Sequence, residues 1–113
     1  MHEMSLCENI REIICEQAAK DGFTRVNRVW LEVGPLSCVE PDALRFGFDV
    51  VMRGSVAEGA CVEIITPAAI ARCSLCGQSA TIAQRYDPCP FCGTGPMEML
   101  SGDALKISKL EVV

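Results

Sequence analysis

Leu6, Ile10, Ile13, Ile14 and Ala18 recur at helical spacing, with Glu8, Arg11, Glu12 and Glu16 between them. That pattern predicts an amphipathic helix over residues 4–20, stopped at Asp21-Gly22. The period then drops to two. Val29, Leu31 and Val33 fall on one side and Arg28 and Glu32 on the other, which predicts a strand over 25–33, closed by Gly34-Pro35. Pro41 suits the first turn of a second helix over 41–53, expected to bury Leu44, Phe46, Phe48 and Val51, although Gly47 weakens it. Residues 60–67 make a second strand stopped by Pro67, and 104–112 a last one. The phase slips at Ser108-Lys109, which would suit a bulge.

From residue 72 to about 100 the character changes. Cysteine, glycine and proline crowd in and large apolar residues thin out. A stretch this short and this polar cannot fold on a hydrophobic core of its own; it needs a metal or a covalent staple. Cys73-Ser-Leu-Cys76-Gly77 and Cys89-Pro-Phe-Cys92-Gly93 are two CxxCG turns with residues 77–88 between them. Two residues between cysteines let a tight turn aim both sulfurs at one ion, and the glycine that follows tolerates positive φ. Two such turns supply four thiolates, the donor set of a structural Zn(II) site with no open catalytic position. An iron site of the rubredoxin kind and a redox dithiol pair are the rivals. The first wants longer spacing and more aromatic neighbours than Tyr86 and Phe91 provide. The second wants a single CxxC opening a helix.

The expected architecture is therefore α+β. A small antiparallel three-stranded sheet with two helices is built from residues 1–70 and 102–113, and a zinc-ribbon-like domain is inserted at 71–101.

The chain has 113 residues, half of them hydrophobic, which suits one modest core. A net charge of −5 argues against nucleic acid as a partner. No stretch reaches membrane-spanning length, and Met1-His2-Glu3-Met4-Ser5 lacks the basic start and apolar run of a signal peptide, so the expected compartment is cytoplasmic. Eight cysteines in such a chain point to metal or redox chemistry before disulfides. Cys7, Cys15, Cys38 and Cys61 have no paired spacing and are expected to be small buried apolar residues.

His2 is the single histidine. Initiator methionine is normally removed only ahead of a small residue, so Met1 is expected to stay. Its α-amine, the backbone amide and the His2 imidazole can then chelate one ion in fused rings, with Glu3 adding its amide nitrogen or its carboxylate. Glu3 equally suits the positive end of a helix. Nitrogen-rich planar coordination favours Ni(II) or Cu(II) over zinc, and these residues do not separate the two. Binding requires loss of protons, so affinity should fall as the pH drops through the histidine range.

The order of segments resembles the HypA/HybF family of hydrogenase nickel-incorporation proteins over essentially the whole chain. The resemblance is carried by Met1-His2-Glu3-Met4-Ser5-Leu6, Val29-Trp30-Leu31-Glu32-Val33-Gly34, Leu36-Ser37-Cys38-Val39-Glu40, Phe46 to Val50, Arg53 to Gly59, the two knuckles and the Leu105–Val112 tail. It implies a metallochaperone that delivers Ni(II) to the [NiFe]-hydrogenase large subunit precursor, working with a nickel-binding maturation GTPase. His2 matches the family's nickel ligand, and Met1 and Glu3 match the adjacent amine and amide donors. Glu40 falls at an acidic position that approaches nickel in some relatives. Cys73, Cys76, Cys89 and Cys92 match the zinc ligands. The knuckles lack the flanking histidines carried by some urease-linked relatives. No nucleophile or general base stands out and there is no GxxxxGK[ST] loop, so the chain is not expected to be an enzyme, and GTP chemistry would belong to a partner. A homodimer is compatible with such a topology. A zinc-ribbon adaptor without a nickel role is the competing reading of a different class.

Overall fold

The computed structural model describes residues 3–113. Helix α1 runs Glu3–Asp21 and buries Cys7, Ile10, Ile14 and Ala18, a stripe stepping by three and four positions. Ile13, one residue and hence about 100° round from Ile14, is 53% exposed rather than part of the stripe. Gly22 closes the helix at φ +78°, donating to the Ala18 carbonyl at 2.8 Å, a conformation few residues besides glycine adopt freely.

Strand β1 (Val26–Val33) lies between β2 (Cys61–Ile65) and β6 (Leu105–Val112) in a three-stranded sheet of order β2-β1-β6. The period-two prediction holds: Val29, Leu31 and Val33 are buried, and Arg28 on the other face reaches Glu63 of β2 at 3.2 Å and Glu111 of β6 at 3.9 Å. The Lys109 ammonium stands 4.7 Å from the Trp30 ring centroid. Strand β6 is a single element across Ser108-Lys109.

Helix α2 runs Pro41–Val51. Glu40 is its N-cap, its carboxylate accepting from the Asp42 N–H at 3.1 Å, and Pro41 occupies the first turn, where a missing N–H costs nothing. Leu44, Gly47 and Phe48 form the buried face, continued by Met52. Phe46, expected in the core, is 65% exposed. It stands two positions from both Leu44 and Phe48, and two steps of about 100° turn a side chain to the far side of a helix. The helices meet where the Cys7 thiol donates to the Leu44 carbonyl at 3.5 Å and Arg11 Nη1 donates to the Val51 and Arg53 carbonyls at 2.6 and 3.2 Å.

The cysteine-rich stretch holds three strands that hydrophobic patterning did not predict: β3 (Ala69–Cys73), β4 (Ser79–Ile82) and β5 (Met97–Ser101), antiparallel in the order β4-β3-β5. Ala71 pairs with Ala80 on one side and Met99 on the other. Their core is small: Ala69, Ala71 and Ile82, with Leu36, Met97 and Met99 packed against it.

The chain forms two compact units. One takes in the chain up to Leu31, Val39–Ile65 and Lys106–Val113; the other takes in Glu32–Cys38 and Thr66–Leu105. In the second, Gly34 and Gly102 let two backbones touch. The Gly34 N–H donates to the Ala104 carbonyl and the Leu36 N–H to the Gly102 carbonyl, both at 2.9 Å. Two helices with small sheets and a four-cysteine insertion make this an α+β protein, as the pattern predicted.

Candidate metal centre

Each knuckle is a turn built by its own sequence. The Gly77 N–H donates to the Cys73 carbonyl at 3.0 Å and the Gly93 N–H to the Cys89 carbonyl at 2.8 Å, with Gly77 and Gly93 at φ +76° and +78°. Inside the turns the amides of Leu75 and Cys76 point at the Cys73 sulfur at 3.4 Å, and those of Phe91 and Cys92 at the Cys89 sulfur at 3.4 and 3.5 Å. The Gly95 N–H adds a 3.3 Å bond to the Cys92 sulfur. Strand β3 delivers Cys73 to the site, while the remaining three cysteines come from turns.

The four sulfurs lie within 4.8 Å of one another, with Cys73 and Cys92 at 3.7 Å and Cys76 and Cys89 at 3.6 Å. All four are free thiols, well beyond disulfide distance. Sulfurs about 2.3 Å from a central tetrahedral zinc stand about 3.8 Å apart along each edge. The donor set and spacing thus fit zinc, and they fill every position, leaving none for substrate.

The backbone prepares the thiolates. The Thr94 and Gly95 amides bring Cys92 down to about 6, and the Cys92 amide, followed by that of Phe91, lowers Cys89. At Cys76 the Gln78 amide lowers the pKa, but desolvation and the surrounding thiols outweigh it and raise the group to about 11. Without an ion, four sulfurs so close cannot all be charged; a divalent cation resolves that conflict.

Gly95 was not singled out by the motif. A β-carbon there would overlap the Cys73 sulfur and sit 3.2 Å from that of Cys92. Its signal in the sequence is slight, a second glycine two positions after Gly93.

Of the predicted N-terminal ligands, Met1 and His2 lie outside the described residues. Glu3 is the first residue of α1 and Glu40 the exposed N-cap of α2. Among the described residues the knuckle cysteines are the metal-ligating cluster of three or more groups. Cys7 is buried as expected and Cys15 partly so, but Cys38 and Cys61 are exposed, Cys38 at φ +62° in the loop before α2. Loop and edge-strand positions give a small side chain nothing to pack beneath. No helix of the described residues is long and apolar enough to cross a membrane.

A family model described as hydrogenase/urease nickel incorporation, metallochaperone, hypA matches residues 1–112. The hydrogenase maturation factor HypA of Acidithiobacillus ferrooxidans is 49% identical over 112 residues, 99% of each chain. That of Cereibacter sphaeroides is 51% identical with the same coverage. The solution structure of the Ni metallochaperone HypA from Helicobacter pylori superposes with a TM-score of 0.79, covering 100% of this chain and 98% of that one at 22% identity, and so shares its fold. This is a family of maturation factors, not a known enzyme family, and with the match spanning nearly every residue the chain belongs to the HypA family of hydrogenase and urease nickel-incorporation metallochaperones.

Proposed function

We propose that the protein binds Ni(II) as cargo at its N-terminus, through Met1, His2 and Glu3, and delivers it in the cytoplasm to the [NiFe]-hydrogenase large subunit precursor, in concert with a nickel-binding GTPase. The observation that carries this reading is the Met-His-Glu start running directly into α1, whose first described residue is Glu3. The first four N–H groups of a helix have no intrahelical acceptor. The Glu3 amide can therefore release its proton to solvent and bind the metal through nitrogen without breaking a helical bond, and the positive end of the helix dipole favours the resulting anionic nitrogen. Amine, amide and imidazole nitrogens together make the planar set that suits Ni(II). Glu40, at the acidic position that approaches nickel in some relatives, would add a carboxylate during loading or release.

A shallow terminal chelate exchanges ligands readily, which a carrier requires. Residues 1–70 and 102–113 would form the nickel-handling part and 71–101 the zinc part. Zn(II) held by Cys73, Cys76, Cys89 and Cys92 would supply structure, fixing the knuckles as a recognition surface.

Metal analysis and Ni(II) titration of untagged protein test the reading. Wild type is expected to carry one zinc and to bind nickel, His2→Ala to lose nickel alone, and Cys73→Ala to lose zinc. Nickel binding by His2→Ala at wild-type strength would leave the zinc-ribbon adaptor as the better account.

A further inference from the structure

Gly47 stands in the interior of α2, where glycine costs about 1 kcal/mol relative to alanine, and it is buried between Leu44 and Phe48. Packing explains its presence. A β-carbon at Gly47 would lie 3.2 Å from the Met4 sulfur, 3.2 Å from the Cys7 sulfur and 3.8 Å from the Glu3 carbonyl oxygen. All three atoms belong to the opening turns of α1. The Met4 side chain is 44% exposed and can swing aside, but Cys7 is fully buried and tied to the Leu44 carbonyl at 3.5 Å. A side chain at position 47 therefore presses on the Cys7 sulfur, which must give by a few tenths of an ångström at the face where α1 meets α2.

We propose that Gly47 is a positioning residue for nickel: a notch in α2 that seats the first turn of α1 and so fixes where Glu3, a member of the proposed chelate, stands. The proposal rests on the N-terminal nickel site put forward above. Gly47 touches no ligand side chain in this scheme. It acts through the Glu3 backbone, whose carbonyl oxygen is a contact of the notch and whose amide nitrogen belongs to the proposed chelate. Correct placement matters because a planar chelate tolerates little distortion.

The test is Ni(II) titration with the visible absorption spectrum of the nickel complex, on full-length zinc-loaded Gly47→Ala, Gly47→Leu, His2→Ala and the double variant Gly47→Ala/Cys7→Ala. Zinc content and far-ultraviolet circular dichroism serve as folding controls. Gly47→Leu is expected to weaken nickel binding on the order of tenfold, equivalent to about 1.4 kcal/mol, with a shifted visible band and one zinc retained. Gly47→Ala should show a smaller change in the same direction. Removing the Cys7 sulfur makes room for the new methyl group, so the double variant should return to the wild-type spectrum and affinity. If Gly47→Leu does not fold, Gly47→Ala and its rescue decide the matter. Wild-type nickel affinity and spectrum in the folded Gly47 variants, alongside loss of nickel in His2→Ala, overturns the positioning role alone. Retention of nickel by His2→Ala overturns the N-terminal site and the positioning role together.

Discussion

Gly95 lies against Cys73 so closely that a β-carbon on it would overlap the Cys73 sulfur. The two are 22 residues apart in sequence, and the contact exists because the second knuckle folds back over the first. The Gly95 carbonyl accepts from the Cys89 N–H at 3.4 Å, and its own N–H donates to the Cys92 sulfur at 3.3 Å. Gly95→Ala should therefore displace Cys73 from the tetrahedron while leaving all four thiols in place. Zinc per chain, measured by atomic emission, is expected to fall well below one. Full occupancy would mean that the knuckles can separate to admit a methyl group.

The second unit has little else to hold it. Its buried apolar side chains besides cysteine are Val33, Ala69, Ala71 and Ile82, and fully burying a side chain as large as isoleucine contributes only about 1.5–3 kcal/mol. A structural zinc in small domains is worth about 10–16 kcal/mol. Chelation is thus expected to abolish hydrogen-exchange protection at Ala71 in β3 while Leu31 in β1 stays protected. Persistent protection at Ala71 in zinc-free protein would show that the strands hold on their own packing.

The parts legible in the sequence were those set by local period and spacing. Helix α1 and strand β1 follow from runs in which the apolar stripe is long and regular, and the four knuckle cysteines follow from turns that need only their own residues. Phe46 shows the limit of that reasoning. Its apolar identity suggested burial, but Leu44 and Phe48 had already fixed the inward face, and a residue midway between them must point outward. Strand β3 escaped notice because Ala69, Ala71 and Cys73 take the buried places where larger apolar residues would normally mark a strand, and β4 and β5, at four and five residues, are too short for their alternation to stand out. The grouping of Glu32–Cys38 with Thr66–Leu105 depends on backbone contacts across about 70 residues, which no local pattern encodes.

Cys7 gives a pH dependence of definite sign. Burial, followed by the charges of Glu3 and Glu8, raises its thiol to about 11 from 9.0. The folded state thus binds the proton more tightly than the unfolded chain. The stabilisation is complete below pH 9 and is lost as the pH climbs from 9 toward 11, by at most about 3 kcal/mol at 1.36 kcal/mol per unit. Urea unfolding at pH 8, 9, 10 and 11 should show a falling limb in wild type. In Cys7→Ala that limb should be shallower, even though the variant is weaker throughout for want of the sulfur. Parallel limbs in the two proteins would assign the alkaline loss to other groups.

Gly34 and Gly22 separate two reasons for a glycine. At Gly22 no atom lies within 4 Å of a would-be β-carbon, but φ is +78°, so alanine there meets only the intrinsic cost of the left-handed conformation, roughly 1–2 kcal/mol. At Gly34 a β-carbon would overlap the Gly102 carbonyl and stand 2.8 Å from the Asp103 nitrogen. Those are backbone atoms pinned by the Gly34-to-Ala104 and Leu36-to-Gly102 bonds, and they cannot rotate away. Gly34→Ala should therefore cost roughly 3 kcal/mol or more, since relief requires parting two bonded backbones. Hydrogen exchange should locate the damage in the Leu36, Gly102 and Ala104 segment, whereas Gly22→Ala should loosen only the last turn of α1. Equal losses in urea unfolding, without that local signature, would mean that the close approach of Gly34 and Gly102 is not what requires a glycine at 34.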